Sequence, residues 1–214
     1  LRKRGGWCYE MNGLLGWALE EIGFKVTRLA GGVHRETYGD DMIGNHLVLI
    51  VNIDRPWIAD AGFGDGLIEP IPLEEGPFKT GPLDCILQKI ENGWWRYNND
   101  PEGGAPSFDF HPDVRDESLL EQSCRRLQTD PASSFVLNAV VQRWVKDVHI
   151  SLRGRVFTKV SQDGKISAIL PDATAYTEML ERDFNLNVPD AASLWPKICA
   201  RHDEVFSDNI ADAN

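Results

Sequence analysis

The stretch "RGGWCYEMNGLLGWAL" runs from Arg4 to Leu19. It places Cys8 between a Gly-Gly turn and an apolar-faced helix. Met11, Leu14, Leu15, Ala18, Leu19 and Ile22 recur at helical spacing. They predict one apolar stripe on a helix that starts near Tyr9 or Glu10 and closes at Gly23. Gly13 and Gly16 each cost such a helix about 1 kcal/mol against Ala, which predicts close approach of another element. A helix N-terminus favours an anion, and a thiolate is one. Gly5 and Gly6 let the backbone turn sharply beside it. A structural cysteine has no need of this position, whereas a nucleophile benefits from it.

Working outward, the pattern turns to strands. Phe24 to Ala30 alternates, and His46 to Ile53 is a nearly continuous apolar run, as in a buried strand. Asp54-Arg55-Pro56 turns the chain, and Trp57 to Asp60 returns as a hairpin partner, with Ile53 expected opposite Trp57. "GFGDG", Gly62 to Gly66, breaks regular structure. Cys85 to Asn99 reads as a second hairpin and Asp116 to Gln128 as a short helix. Val148 to Leu170 reads as two or three strands with a turn at Asp163-Gly164. Ala173 to Asp183 and Ala191 to His202 read as helices, and "SDNIADAN", from Ser207, as a mobile tail. A helix, then strands, then strands with helices is an α+β order with a barrel or strongly curved sheet in the middle.

A cysteine nucleophile needs a base and a group that orients the base. His46 opens the apolar strand, and Asp60 ends its returning partner between "WIA" and "AGFG". An acid among apolar neighbours is costly unless paired. The two residues fall at neighbouring strand ends, so Asp60 can accept from one ring nitrogen of His46 while the other faces Cys8. His34, His111, His149 and His202 sit in contexts that favour structural or solvated roles. Trp7, Tyr38 and Phe63 are candidates for an aromatic substrate wall. Arg4 is expected to pair with a carboxylate, and Glu10 to place its charge in the first helical turn.

Composition limits the remaining classes. The chain has 214 residues, 42% of them hydrophobic, enough for a sizeable core and one or two compact domains. Its net charge of −11, with "RKR" at Arg2 to Arg4 as its one basic run, argues against a nucleic-acid partner. No apolar run has membrane-spanning length, and no signal peptide is visible. The four cysteines, Cys8, Cys85, Cys124 and Cys199, form neither a CxxC pair nor a zinc spacing. That suggests reduced thiols in a cytoplasmic protein and no metal site.

"RGGWCYEMN", "GNHLVLIV" and "WIADAGFG", in this order, resemble the three signature segments of the arylamine N-acetyltransferases. "PASSFVLNAVVQRW", Pro131 to Trp144, resembles a later segment of that family. The resemblance implies a cysteine-protease-like Cys-His-Asp core on Cys8, His46 and Asp60. It implies acetyl-CoA as acyl donor, an acetyl-cysteine intermediate, and an arylamine, arylhydrazine or N-hydroxyarylamine acceptor. The cofactor cleft would be lined by Asn45, Gly62, Phe63 and Gly64. Asn45 stands where the family often has Thr or Ser. The implied fold is α+β in three regions. Residues 1–23 are the remnant of an N-terminal helical bundle, 24–130 a central antiparallel β-barrel, and 131–214 an α/β lid. Family members carry helices upstream of the first segment, so the chain reads as N-terminally truncated, with an apolar stripe left exposed. Partners are then coenzyme A and a small aromatic amine or hydrazine, for a monomer or homodimer. Two rival readings share these residues: a thiol hydrolase or transglutaminase-like enzyme, and an inactive CoA-binding remnant.

Overall fold

The computed structural model describes residues 5–206, and it divides between Leu127 and Gln128 into two compact units. "RKR", Arg4 and the "SDNIADAN" tail lie outside the described residues.

The first unit opens with helix α1, Cys8–Glu21. It begins at Cys8 itself, slightly earlier than expected, with Trp7 as N-cap. Glu10 supports this start by accepting the Trp7 N–H at 3.3 Å. The helix ends in a Schellman turn: Gly23 takes φ +98°, its N–H meets the Glu20 carbonyl, and the Phe24 N–H meets that of Leu19.

The face of α1 that is buried differs from the one its apolar spacing predicts. Cys8, Asn12 and Gly16 are buried, whereas Leu14 is 61% and Ile22 72% exposed. A Cβ on Gly16 would stand 3.4 Å from Leu49, so this glycine sets how closely the helix approaches the sheet. The apolar pattern misleads because the face turned to the sheet carries a thiol and an amide in place of large hydrocarbons.

The sheet follows: β1 Lys25–Val33, β2 His46–Asn52, β3 Pro56–Ala59, β4 Ile71–Pro72, β5 Gly76–Thr80, β6 Leu83–Lys89, β7 Trp95–Asn98 and β8 Ser107–Phe110. Between β1 and β2 lies the single-turn helix α2, Arg35–Tyr38. The eight strands are antiparallel in the order β4-β3-β2-β1-β8-β7-β6-β5. The sheet curls, and the Ile68 N–H, on the approach to β4, donates to Thr80 Oγ1 at the end of β5. Its concave core holds Tyr97, Phe108 and Phe110, with Tyr97 stacked on Phe108 at 4.8 Å. Helix α3, Glu117–Thr129, brings Leu120 against Ala30, Leu47 and Leu49.

The second unit has the single-turn α4 Ser134–Leu137, then β9 Val140–Val145, β10 Val148–Arg153, β11 Val156–Ser161 and β12 Gly164–Ile169 in one antiparallel sheet. Helices α5 Ala173–Arg182 and α6 Trp195–Phe206 follow. Tyr176, Leu180 and Ile198 pack on Ile150 and Leu152. The last helix departs from the expected Ala191 to His202. A 3-10 turn, Pro189–Leu194, precedes it, and Pro196 falls in the first turn of α6, where its missing N–H is no loss.

Candidate active site

Three local decisions of the chain build the site. The helix start sets Cys8 at the first helical position, 5% exposed. The apolar β2 buries His46 at its mouth, 2% exposed. The β2–β3 register pairs Val51 with Trp57 and Leu49 with Ala59, a correction to the expected Ile53–Trp57 pairing. Continued one residue past β3, that register sets Asp60 diagonal to His46 on the same face.

The two side chains meet there, with His46 Nε2 2.6 Å from Asp60 Oδ2. Asp60 occupies Nε2, so Nδ1 is the ring nitrogen left for sulfur, and Cys8 adds to the upward push on the His46 pKa. Cys8 Sγ also reaches the Asn45 carbonyl oxygen at 3.9 Å. Phe63 and Phe108 stand edge-on to the imidazole, with centroids at 5.5 and 4.9 Å.

Asp60 is held as firmly as it holds. Its Oδ1 accepts from Asn12 Nδ2 at 2.8 Å, from the Gly62 N–H at 2.8 Å and from the Phe63 N–H at 3.1 Å. Asn12 is fully buried, donates also to the Leu47 carbonyl at 2.6 Å, and accepts the Ala61 N–H at 2.7 Å. It thereby ties α1, β2 and the Asp60 loop together. No role was read for Asn12 from the sequence. The available signal was its place four residues after Cys8, on the same helical face.

Electrostatics follow from this geometry. Burial alone would push the His46 ring down, but the Asp60 carboxylate and Cys8 outweigh it, so its pKa is raised. Burial would likewise push Asp60 up, but His46, Asn12 and the loop N–H groups hold it low. The raised His46 stabilises the fold fully below the ordinary imidazole range, about pH 6.5, and that contribution fades as pH rises through its folded value. The lowered Asp60 contributes above the ordinary carboxylate range, about pH 4, and its part fades as pH falls. Urea unfolding of wild type and Asp60→Asn should therefore differ most between about pH 4 and 6.5, and the gap should narrow towards alkaline pH. A gap that widens with rising pH would contradict this pairing.

The other expected site residues divide. Gly62 lies against Cys8, since a Cβ there would stand 2.5 Å from Cys8 Cα. Gly64 carries φ +91° and turns the loop. The Asn45 side chain is committed to the Val33 backbone, with Oδ1 accepting its N–H at 2.7 Å and Nδ2 donating to its carbonyl at 3.0 Å. Trp7 packs on Tyr9 at 4.9 Å. Tyr38 is 65% exposed beside His34 and so does not form a buried aromatic wall.

A thiol, an imidazole and a carboxylate gathered on one face of a curled sheet is the equipment of thiol-dependent acyl chemistry. Comparison with known proteins narrows the class. The N-acetyltransferase family model matches residues 1–193. An arylamine N-acetyltransferase of Mycolicibacterium smegmatis is 31% identical over 209 residues, covering 89% of this chain and 72% of its own. The human arylamine N-acetyltransferase 1 is 41% identical over 158 residues, covering 63% of this chain and 54% of its own. The structure of the Mycobacterium marinum arylamine N-acetyltransferase in complex with CoA superposes with TM-score 0.80 at 29% identity, covering 95% of this chain and 78% of that one. The chain belongs to the arylamine N-acetyltransferase family, whose members are acyltransferases.

Proposed function

We propose that this chain transfers an acetyl group from acetyl-CoA to an aromatic amine or hydrazine through an acetyl-Cys8 intermediate. The observation that carries this reading is the buried His46–Asp60 pair at 2.6 Å beside a thiol at a helix N-terminus, in a chain of this family. A CoA complex of a relative supports the donor.

The residues supply the steps. His46 holds the Cys8 proton, and Asp60 keeps the ring oriented and stabilises the imidazolium. The Cys8 thiolate attacks the acetyl carbonyl, the C–S bond to CoA breaks, and the leaving thiolate takes its proton from His46. The amine nitrogen then attacks acetyl-Cys8, His46 accepts the amine proton, and the C–S bond to Cys8 breaks to release the amide. The Cys8 N–H is a first-turn donor without an intrahelical acceptor, and it stands to receive the oxyanion. Gly62, Phe63 and Gly64 border the donor's path. Asn45 borders it through its backbone, since its amide is occupied. In this reading α1 belongs to the helical region, the curled sheet is the central region, and the second unit is the α/β region.

The test is steady-state release of CoA from acetyl-CoA with and without an aniline. Continuous release together with N-acetylaniline formation should require the amine and should vanish in Cys8→Ala. Equal continuous release without amine would point to a hydrolase instead.

A further inference from the structure

The loop that carries the orienting carboxylate holds a second buried carboxylate, Asp65, and the proposed mechanism gives it no role. Asp65 is 1% exposed. Its Oδ2 accepts from Asn99 Nδ2 at 2.9 Å and from the Gly104 N–H. Both donors are neutral, so what they require of Asp65 is an acceptor oxygen at this position. The partner segment is shaped around this oxygen: a Cβ on Gly103 would stand 2.7 Å from Asp65 Oδ2 and 2.5 Å from Asn99 Nδ2. Asn99 is itself anchored, donating to the Ala105 carbonyl at 3.0 Å and sending its N–H to that of Pro106.

The anchor lies close to the proposed base. Next to Asp65, Gly66 packs under Phe63, where an added Cβ would meet Phe63 Cβ at 2.9 Å. The Gly66 carbonyl accepts from Thr80 Oγ1 at 2.9 Å. Phe63 in turn stands edge-on to His46 and lies against Tyr97 and Phe108 at 5.4 and 4.8 Å. Asp60 fixes the near end of the loop through the Gly62 and Phe63 N–H groups, but beyond the positive φ of Gly64 those bonds have no reach.

We propose that Asp65 is a positioning residue: it latches the far end of the 60–66 loop to the 99–104 segment and so holds Phe63 against the His46 ring. The proposal rests on the acyl-transfer reading for its role in turnover, but not for its effect on the thiol. Both latch bonds converge on Oδ2, so Asp65→Asn can keep them with its one amide oxygen, while Asp65→Ala loses both.

The experiment measures two rates on the purified chain and its variants: Cys8 alkylation by iodoacetamide as a function of pH, and Cys8 acetylation by acetyl-CoA. In Asp65→Ala the alkylation profile should differ from that of the wild type and acetylation should slow at least about tenfold, in line with the cost of a small misplacement. Asp65→Asn should recover both. A folded Asp65→Ala with the wild-type alkylation profile would overturn the proposal, and so would an Asp65→Asn as impaired as the alanine variant. If Asp65→Ala does not fold, Asn99→Ala, which removes one donor and leaves Asp65 in place, decides by the same readouts. Alkylation does not involve acetyl-CoA. A wild type that is never acetylated, yet whose alkylation profile moves on Asp65→Ala, would refute the acyl-transfer reading and leave the latch standing.

Discussion

Asp60→Asn should fold and yet lose about 10³–10⁴-fold in acetyl transfer. The size of the loss comes from what each oxygen of Asp60 does. Oδ1 accepts three donors, from Asn12, Gly62 and Phe63. The amide oxygen of an asparagine must take that place, since an NH₂ there would face three N–H groups. The NH₂ is then turned to His46 Nε2, which now has to accept a proton. The ring's own hydrogen moves to Nδ1, the nitrogen that must accept from Cys8, and the base becomes a donor. Shape is preserved and the tautomer is wrong. The rate of Cys8 acetylation by acetyl-CoA checks this, with circular dichroism confirming the fold. Unchanged acetylation would remove Asp60 from the mechanism.

Gly62→Ala should be the most damaging single methyl group in the site. Gly62 has no positive φ, so an alanine could adopt its backbone conformation. Space is what is missing. The new Cβ would stand 2.5 Å from Cys8 Cα, 2.9 Å from Cys8 Cβ and 3.0 Å from Asn12 Nδ2. The first two atoms belong to a helical turn and cannot swing aside, so either α1 or the Asp60 loop must shift. Overpacking of this kind costs about 1–3 kcal/mol of stability. A shift near 1 Å between sulfur and imidazole costs about 100-fold in rate. Chemical denaturation and acetylation of the folded fraction should therefore both fall. A stable, fully active Gly62→Ala would mean that the loop does not approach Cys8 this closely.

Much of this arrangement was legible in the sequence, and the failures have physical causes. The apolar run from His46 and the return from Trp57 announce a hairpin, because a continuous hydrophobic run can only be a buried element. Its register, however, depends on the turn geometry: the chain turns over Ile53 to Arg55, Pro56 already pairs with Asn52, and Trp57 therefore meets Val51 and not Ile53. The strands β4, β5 and β8 lack a legible pattern: β4 has two residues, Pro77 sits within β5, and β8 sets Asp109 between its two phenylalanines. The start of α1 at Cys8 was nearly right, since Gly5 and Gly6 mark the break before it. The face of α1 was misread because apolar spacing identifies hydrocarbon, whereas the buried face is fixed by contacts that Cys8, Asn12 and Gly16 make with other segments. For the same reason Asp65, a polar residue that acts through bonds to a distant segment, gives no local signal, and Asn12 gives only its helical spacing from Cys8.

The most direct test of the central claim is the intact mass of the wild-type chain after brief exposure to acetyl-CoA without amine, beside Cys8→Ala. One acetyl group should appear on the wild type, be absent from the variant, and be discharged as the amide when an aniline is added. A folded wild-type chain that gains no acetyl group, or that gains one equally in Cys8→Ala, would contradict an acetyl-Cys8 intermediate.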